Sequence, residues 1–184
     1  MEDIFNININ YIEDVKIKEL YIMEIYDNEI LDLIKFKNLR KLDCSFNRIR
    51  KIINIPETLV ELICSDNMIE NLDNLNNGLL KLKCIGNKIK KLDNLPKSLV
   101  YLNCSGNKIT SLDNLPNNLK ILKCSGNQIK KLDYLPFSIQ VLFCFDNFIK
   151  NIDNLNNNIK ILYCASNQIN NLKNIPNSVI KIDN

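Results

Sequence analysis

The chain has 184 residues, enough for one domain with a substantial core, and its 46% hydrophobic and 24% charged residues match an ordinary globular average. A net charge of +3 is too small to argue for a nucleic acid or an anionic membrane as partner. Histidine is absent, which removes Ser/His/Asp and Cys/His catalysis, and the four glycines never gather into a phosphate-binding loop.

Residues 1–19 begin acidic and contain no run of seven apolar residues, so they do not read as a secretory signal. Within them IFNININYI alternates like a strand, and the segment is expected to be an N-terminal cap. From residue 20 the chain repeats. Leu20, Met23, Ile25, Asn28, Ile30 and Leu33 form a degenerate first copy, whose Asn28 stands nineteen residues before Asn47. From there the period is twenty without a slip: Cys44, Cys64, Cys84, Cys104, Cys124, Cys144 and Cys164, each followed three residues later by an asparagine, from Asn47 to Asn167. The array spans residues 20–184 as about eight copies, and in the last, incomplete one Val179 and Ile182 take the two leucine slots while Asn184 stands where a cysteine is due. No segment approaches the roughly 18 to 20 apolar residues of a membrane span. Seven cysteines without a signal peptide point to reduced thiols and a cytoplasmic location.

Aligned on these columns the unit is L-x-x-L-x-C-x-x-N-x-I-x-x-L-D-N-L-P-x-x, as in Leu119, Leu122, Cys124, Asn127, Ile129, Leu132, Leu135 and Pro136. L-x-x-L-x-C holds a short strand with Leu122 and Cys124 inward and Ile121 and Lys123 outward. Stacked copies make a parallel sheet with strands about 4.8 Å apart. Ile129, Leu132 and Leu135 point inward from the remaining segment, whose proline opposes a long helix. The pattern resembles the leucine-rich-repeat family in its shortest, twenty-residue class. The resemblance implies an α/β-type solenoid that is in practice mostly β, with a parallel sheet on the concave side, an extended or 3₁₀ convex side and little or no α-helix.

Within that family the unit is most similar to the repeats of bacterial effectors, compared through Leu115, Pro116, Leu119, Leu122, Cys124 and Asn127. Some of those effectors append a ubiquitin ligase with a Cys-x-Asp nucleophile, a triplet matched here by Cys64-Ser65-Asp66 and Cys144-Phe145-Asp146. Both cysteines fall in the inward column, and ligase activity is not carried over.

Seven thiols in one line cannot surround a zinc ion tetrahedrally, and in-register side chains that point the same way do not form disulfides, so the cysteine column is read as packing, with no metal or cofactor. The asparagine column is read as a hydrogen-bond ladder, and a second column, Asn74, Asn94, Asn114, Asn154 and Asn174, as serving convex turns. Arg48, Arg50, Lys51, Lys88, Lys90, Lys91, Lys108, Lys130, Lys131 and Lys150 line one edge, which Asp73, Asp93, Asp113, Asp133 and Asp153 partly neutralise. Nucleic-acid binding along this edge is the alternative function.

Packing leaves the outward strand positions unspecified, and there the chemistry changes from polar to apolar along the array. Tyr101, Ile121, Lys123, Val141, Phe143, Phe145, Ile161 and Tyr163 therefore form the expected partner-binding face. Val179, Ile180 and Ile182, at the final strand, form an expected self-association edge. The function expected is non-catalytic: binding another protein, or a second copy of the chain, through the concave sheet.

Overall fold

The computed structural model describes residues 16–22, 29–172 and 175–183. Most of the expected cap, residues 1–15, lies outside the described residues, as do Met23, Ile25, Asn28, Asn174 and Asn184.

Among the described residues nine strands form one parallel sheet: β1 (Glu19–Tyr21), β3 (Lys41–Asp43), β5 (Glu61–Ile63), β6 (Lys81–Lys83), β7 (Tyr101–Asn103), β8 (Ile121–Lys123), β9 (Val141–Phe143), β10 (Ile161–Tyr163) and β11 (Lys181–Asp183). Two further strands, β2 (Ile30–Asp32) and β4 (Lys51–Ile53), pair in parallel as a small second sheet. The described residues contain no helix, and the return segments run through turns, as the proline in each unit leads one to expect. The chain is thus a β solenoid.

One register governs the whole sheet. Leu42, Leu62, Leu82, Leu102, Leu122, Leu142 and Leu162 lie side by side at the strand centres, and each is buried. Leu119, Leu122, Cys124 and Ile129 have no exposed surface, and Leu132 has 3%, so one unit sends five side chains into the core. A fully buried leucine or isoleucine contributes about 1.5 to 3 kcal/mol, but only when the neighbouring copy covers it.

The turns explain the other fixed residues. Two residues past each cysteine the backbone takes a left-handed conformation, with φ of 62° at Gly86, 65° at Gly106 and 62° at Gly126, where glycine has no steric penalty. At Gly106 a Cβ would also stand 3.4 Å from the Gly86 nitrogen, so successive turns nest closely. On the return side Asn54, Asn74, Asn94 and Asn114 are left-handed too, a conformation asparagine tolerates better than most residues. Asn154 Nδ2 instead donates to Asp133 Oδ1 at 3.0 Å. The proline carbonyls then close tight turns, as in Leu119 N–H to Pro116 O at 3.0 Å. In two units asparagine replaces proline, and its side chain secures the turn: Asn76 Nδ2 donates to Pro56 O at 2.7 Å while its Oδ1 accepts from Gly78 N–H at 2.8 Å.

The first copy differs from its expected register. Leu20 pairs with Leu42, twenty-two residues on, so it fills the strand-centre slot rather than the preceding leucine slot. Ile22 consequently stands where a cysteine stands later, and Asn47 Nδ2 donates to its carbonyl at 3.0 Å. Further on, Leu31 pairs with Ile52 and is buried, leaving Ile30 54% exposed instead of inward. The β2–β4 pairing fixes this alignment, which spacing alone does not reveal.

Candidate interaction face

The common register arranges the outward residues in two columns. One runs Glu19, Lys41, Glu61, Lys81, Tyr101, Ile121, Val141, Ile161, Lys181; the other runs Tyr21, Asp43, Ile63, Lys83, Asn103, Lys123, Phe143, Tyr163. In the N-terminal half opposite charges pair across strands, Lys41 Nζ with Glu19 at 2.8 Å and Lys81 Nζ with Glu61 at 2.6 Å. Hydrogen bonding to Glu19 raises the Lys41 pKa above its ordinary value.

From Tyr101 onward the contacts change kind. Lys81 Nζ stands 5.7 Å from the Tyr101 ring centre, and Lys123 Nζ stands 4.6 Å from that of Phe143. Phe143 and Tyr163 stack with centroids 4.4 Å apart and planes 10° from parallel. Lys181 Nζ covers the far side of Tyr163 at 5.3 Å. Four strands thus build a cation, ring, ring, cation stack, favoured because the π faces are electron-rich. Tyr101, Ile121, Val141, Ile161, Lys123, Phe143 and Tyr163 are all half-buried by these neighbours, and Phe145, two residues beyond Phe143, is 43% exposed. Seven of the eight expected face residues therefore lie on the adjacent strands β7 to β10, and Phe145 follows just past β9. What the sequence reading missed is the role of lysine: Lys81 lies over the ring of its direct cross-strand partner Tyr101, and Lys181 reaches Tyr163 on a diagonal that only the strand register reveals.

The expected self-association residues are less alike. Val179 is half-buried and packs against the core, whereas Ile180 is 81% exposed just before β11. Ile182 aligns with Leu162 in β11, the last strand in the sheet order.

The cysteines line the interior. All seven are buried, and Cys104 Sγ lies 3.5 Å from the Lys123 carbonyl and Cys124 Sγ 3.4 Å from that of Phe143. Burial pushes the Cys104 thiol up to about 12, and it likewise drives Cys64 and Cys144 upward. Such thiols are protonated at neutral pH and out of contact with water, the opposite of an activated nucleophile.

The asparagine ladder stands beside them. Asn127 Nδ2 donates to Cys104 O and Cys124 O, each at 3.0 Å, and to Ser125 O at 3.2 Å, while its Oδ1 accepts from Ile109 N–H at 2.9 Å. The same arrangement recurs at Asn67, Asn87, Asn107, Asn147 and Asn167. The basic residues of the strand-exit edge are exposed, and one of them, Arg50, pairs with Glu29 at 2.8 Å.

A family model described as leucine-rich repeats (two copies) matches residues 97–136. Among solved structures, YopM from Yersinia enterocolitica WA-314 is 26% identical with a TM-score of 0.65, over 90% of this chain and 39% of YopM. The leucine-rich-repeat domain of a Shigella effector is 26% identical with a TM-score of 0.69, over 83% of this chain and 71% of that domain. The functional domain of InlJ from Listeria monocytogenes, described as including a cysteine ladder, is 30% identical with a TM-score of 0.59, over 82% of this chain and 40% of InlJ. The chain thus spans about two fifths of the YopM and InlJ structures it resembles. No curated protein sequence matches it.

Proposed function

From the premise that this chain is a leucine-rich-repeat solenoid of twenty-residue units, we propose that it is a protein-binding module whose contact face is the C-terminal half of the outward sheet. The observation that supports this reading is the stack of Lys123, Phe143, Tyr163 and Lys181, with Phe145 exposed beside it. Interior packing places no demand on these outward positions, yet they hold large side chains of the kinds that contribute most at interfaces. The occupant is another protein or a second copy of this chain. In the latter case the exposed Ile180 and the edge of β11 add a pairing surface.

A pull-down that compares the wild type with a Phe143→Asp, Tyr163→Asp variant tests the face. Proteins retained by the wild type and lost by the variant are the expected outcome; identical sets would overturn the assignment. Sedimentation across concentration separates the two kinds of occupant, because a chain monomeric to tens of micromolar, on the scale of weak association, is no self-associating module.

A further inference from the structure

Repetition allows the chain to be compared with itself. The slot two residues past each cysteine is left-handed in all seven units: φ is 58° at Phe46, 52° at Asp66, 62° at Gly86, 65° at Gly106, 62° at Gly126, 55° at Asp146 and 55° at Ser166. Glycine adopts this conformation without penalty, and short polar residues such as aspartate come next. A phenylalanine there is a steric outlier. Burial of the ring could offset the strain, but Phe46 is 73% exposed. Within the described residues, nothing about the fold calls for this ring. Backbone strain held at one position points toward function when the observation comes first.

The surroundings supply a second observation. Phe46 borders a depression of about 440 Å³ on the outward face, with Tyr21, Ile63 and Ile85 among its apolar lining. Tyr21 is itself 40% exposed. Two carboxylates, Asp43 and Asp66, line the same depression against one ammonium group, Lys83.

We infer that this depression is a second docking site, which takes an apolar side chain flanked by a cationic one from a partner polypeptide. The apolar lining accepts the first, and the excess of carboxylates selects the second. The site rests on Phe46 and its neighbours and does not depend on the aromatic face farther along. Four strand steps separate Ile63 from Phe143, about 19 Å at the usual strand spacing, a length that roughly six extended residues cover. One extended segment can therefore reach both.

Isoleucine-methyl NMR of the whole chain, titrated with the peptide GRLRG or its acidic counterpart GELEG, tests the assignment. The methyls of Ile63 and Ile85 should shift saturably with GRLRG, at least tenfold more tightly than with GELEG. Phe46→Gly and Phe46→Ala should each weaken GRLRG at least fivefold. Phe46→Gly, which restores the residue found in the middle units, should melt no lower than the wild type. Equal or absent shifts with the two peptides, undiminished affinity in either variant, or a lower Tm in Phe46→Gly would each overturn the proposal, the last by making the ring a packing residue.

Discussion

Asn127 shows how much one side chain can hold. Its amide satisfies three carbonyls and one N–H, and these belong to two successive copies. Asn127→Ala removes all four contacts where water has little access, since Asn127 is 7% exposed. Leaving a buried polar group without a partner costs about 1–3 kcal/mol. Partial relaxation of the exposed side of the turn limits the sum, so an overall loss of about 3 kcal/mol is expected in urea unfolding. Asn127→Asp should be no better than alanine at neutral pH, because a carboxylate accepts but cannot donate. Phe46 teaches a complementary lesson. It could have been singled out from the sequence by reading down its column of glycine, aspartate and serine, but the left-handed backbone that makes it costly becomes visible only in the structure.

At the scale of the element, seven strands of the main sheet are each followed by an inward thiol, and the row of thiols makes stability depend on pH. In the unfolded chain a cysteine titrates near 9.0, whereas burial lifts Cys104 to about 12. The folded state therefore keeps protons that the unfolded state releases. The stabilisation is complete below about pH 9 and declines as pH rises toward the folded value. Each such thiol contributes a slope of about 1.4 kcal/mol per pH unit in that window. Melting temperature should fall steeply from pH 9 to 11, and replacing Cys104 with valine should make the fall shallower. A flat profile would mean that the column is hydrated. In the same way, a thiol reagent at pH 8 should modify the column only as fast as the chain opens.

On the scale of the whole molecule, the solenoid was legible because seven copies each repeat the same demands, so that chance matches at single positions average out. Leu122, Cys124 and Ile129 were assignable inward from periodicity, and all three are fully buried. The outer columns were legible as lists of residues but not as contacts. That Lys181 reaches the Tyr163 ring depends on a diagonal between strands, and that Lys41 and Lys81 are held by glutamates depends on which strand lies beside which. The first copy was misaligned because its apolar residues suit two registers, and the choice between them is made by pairing of Leu31 with Ile52. Spacing carries no information about that pairing.

The ladder also gives the array a grain. Asn67 serves Cys44 O and Ile49 N–H, and Asn127 serves Cys104 O and Ile109 N–H, so each copy completes the one before it. Damage at one link should therefore be felt upstream. In Asn127→Ala, hydrogen exchange should quicken at the Ile109 amide, eighteen residues earlier, while the Ile129 amide, held by Asn147 Oδ1, stays protected. Equal loss on both sides would show that the copies lean on each other symmetrically. Otherwise the solenoid resembles shingles on a roof, where lifting one loosens the course beneath it and leaves the course above in place.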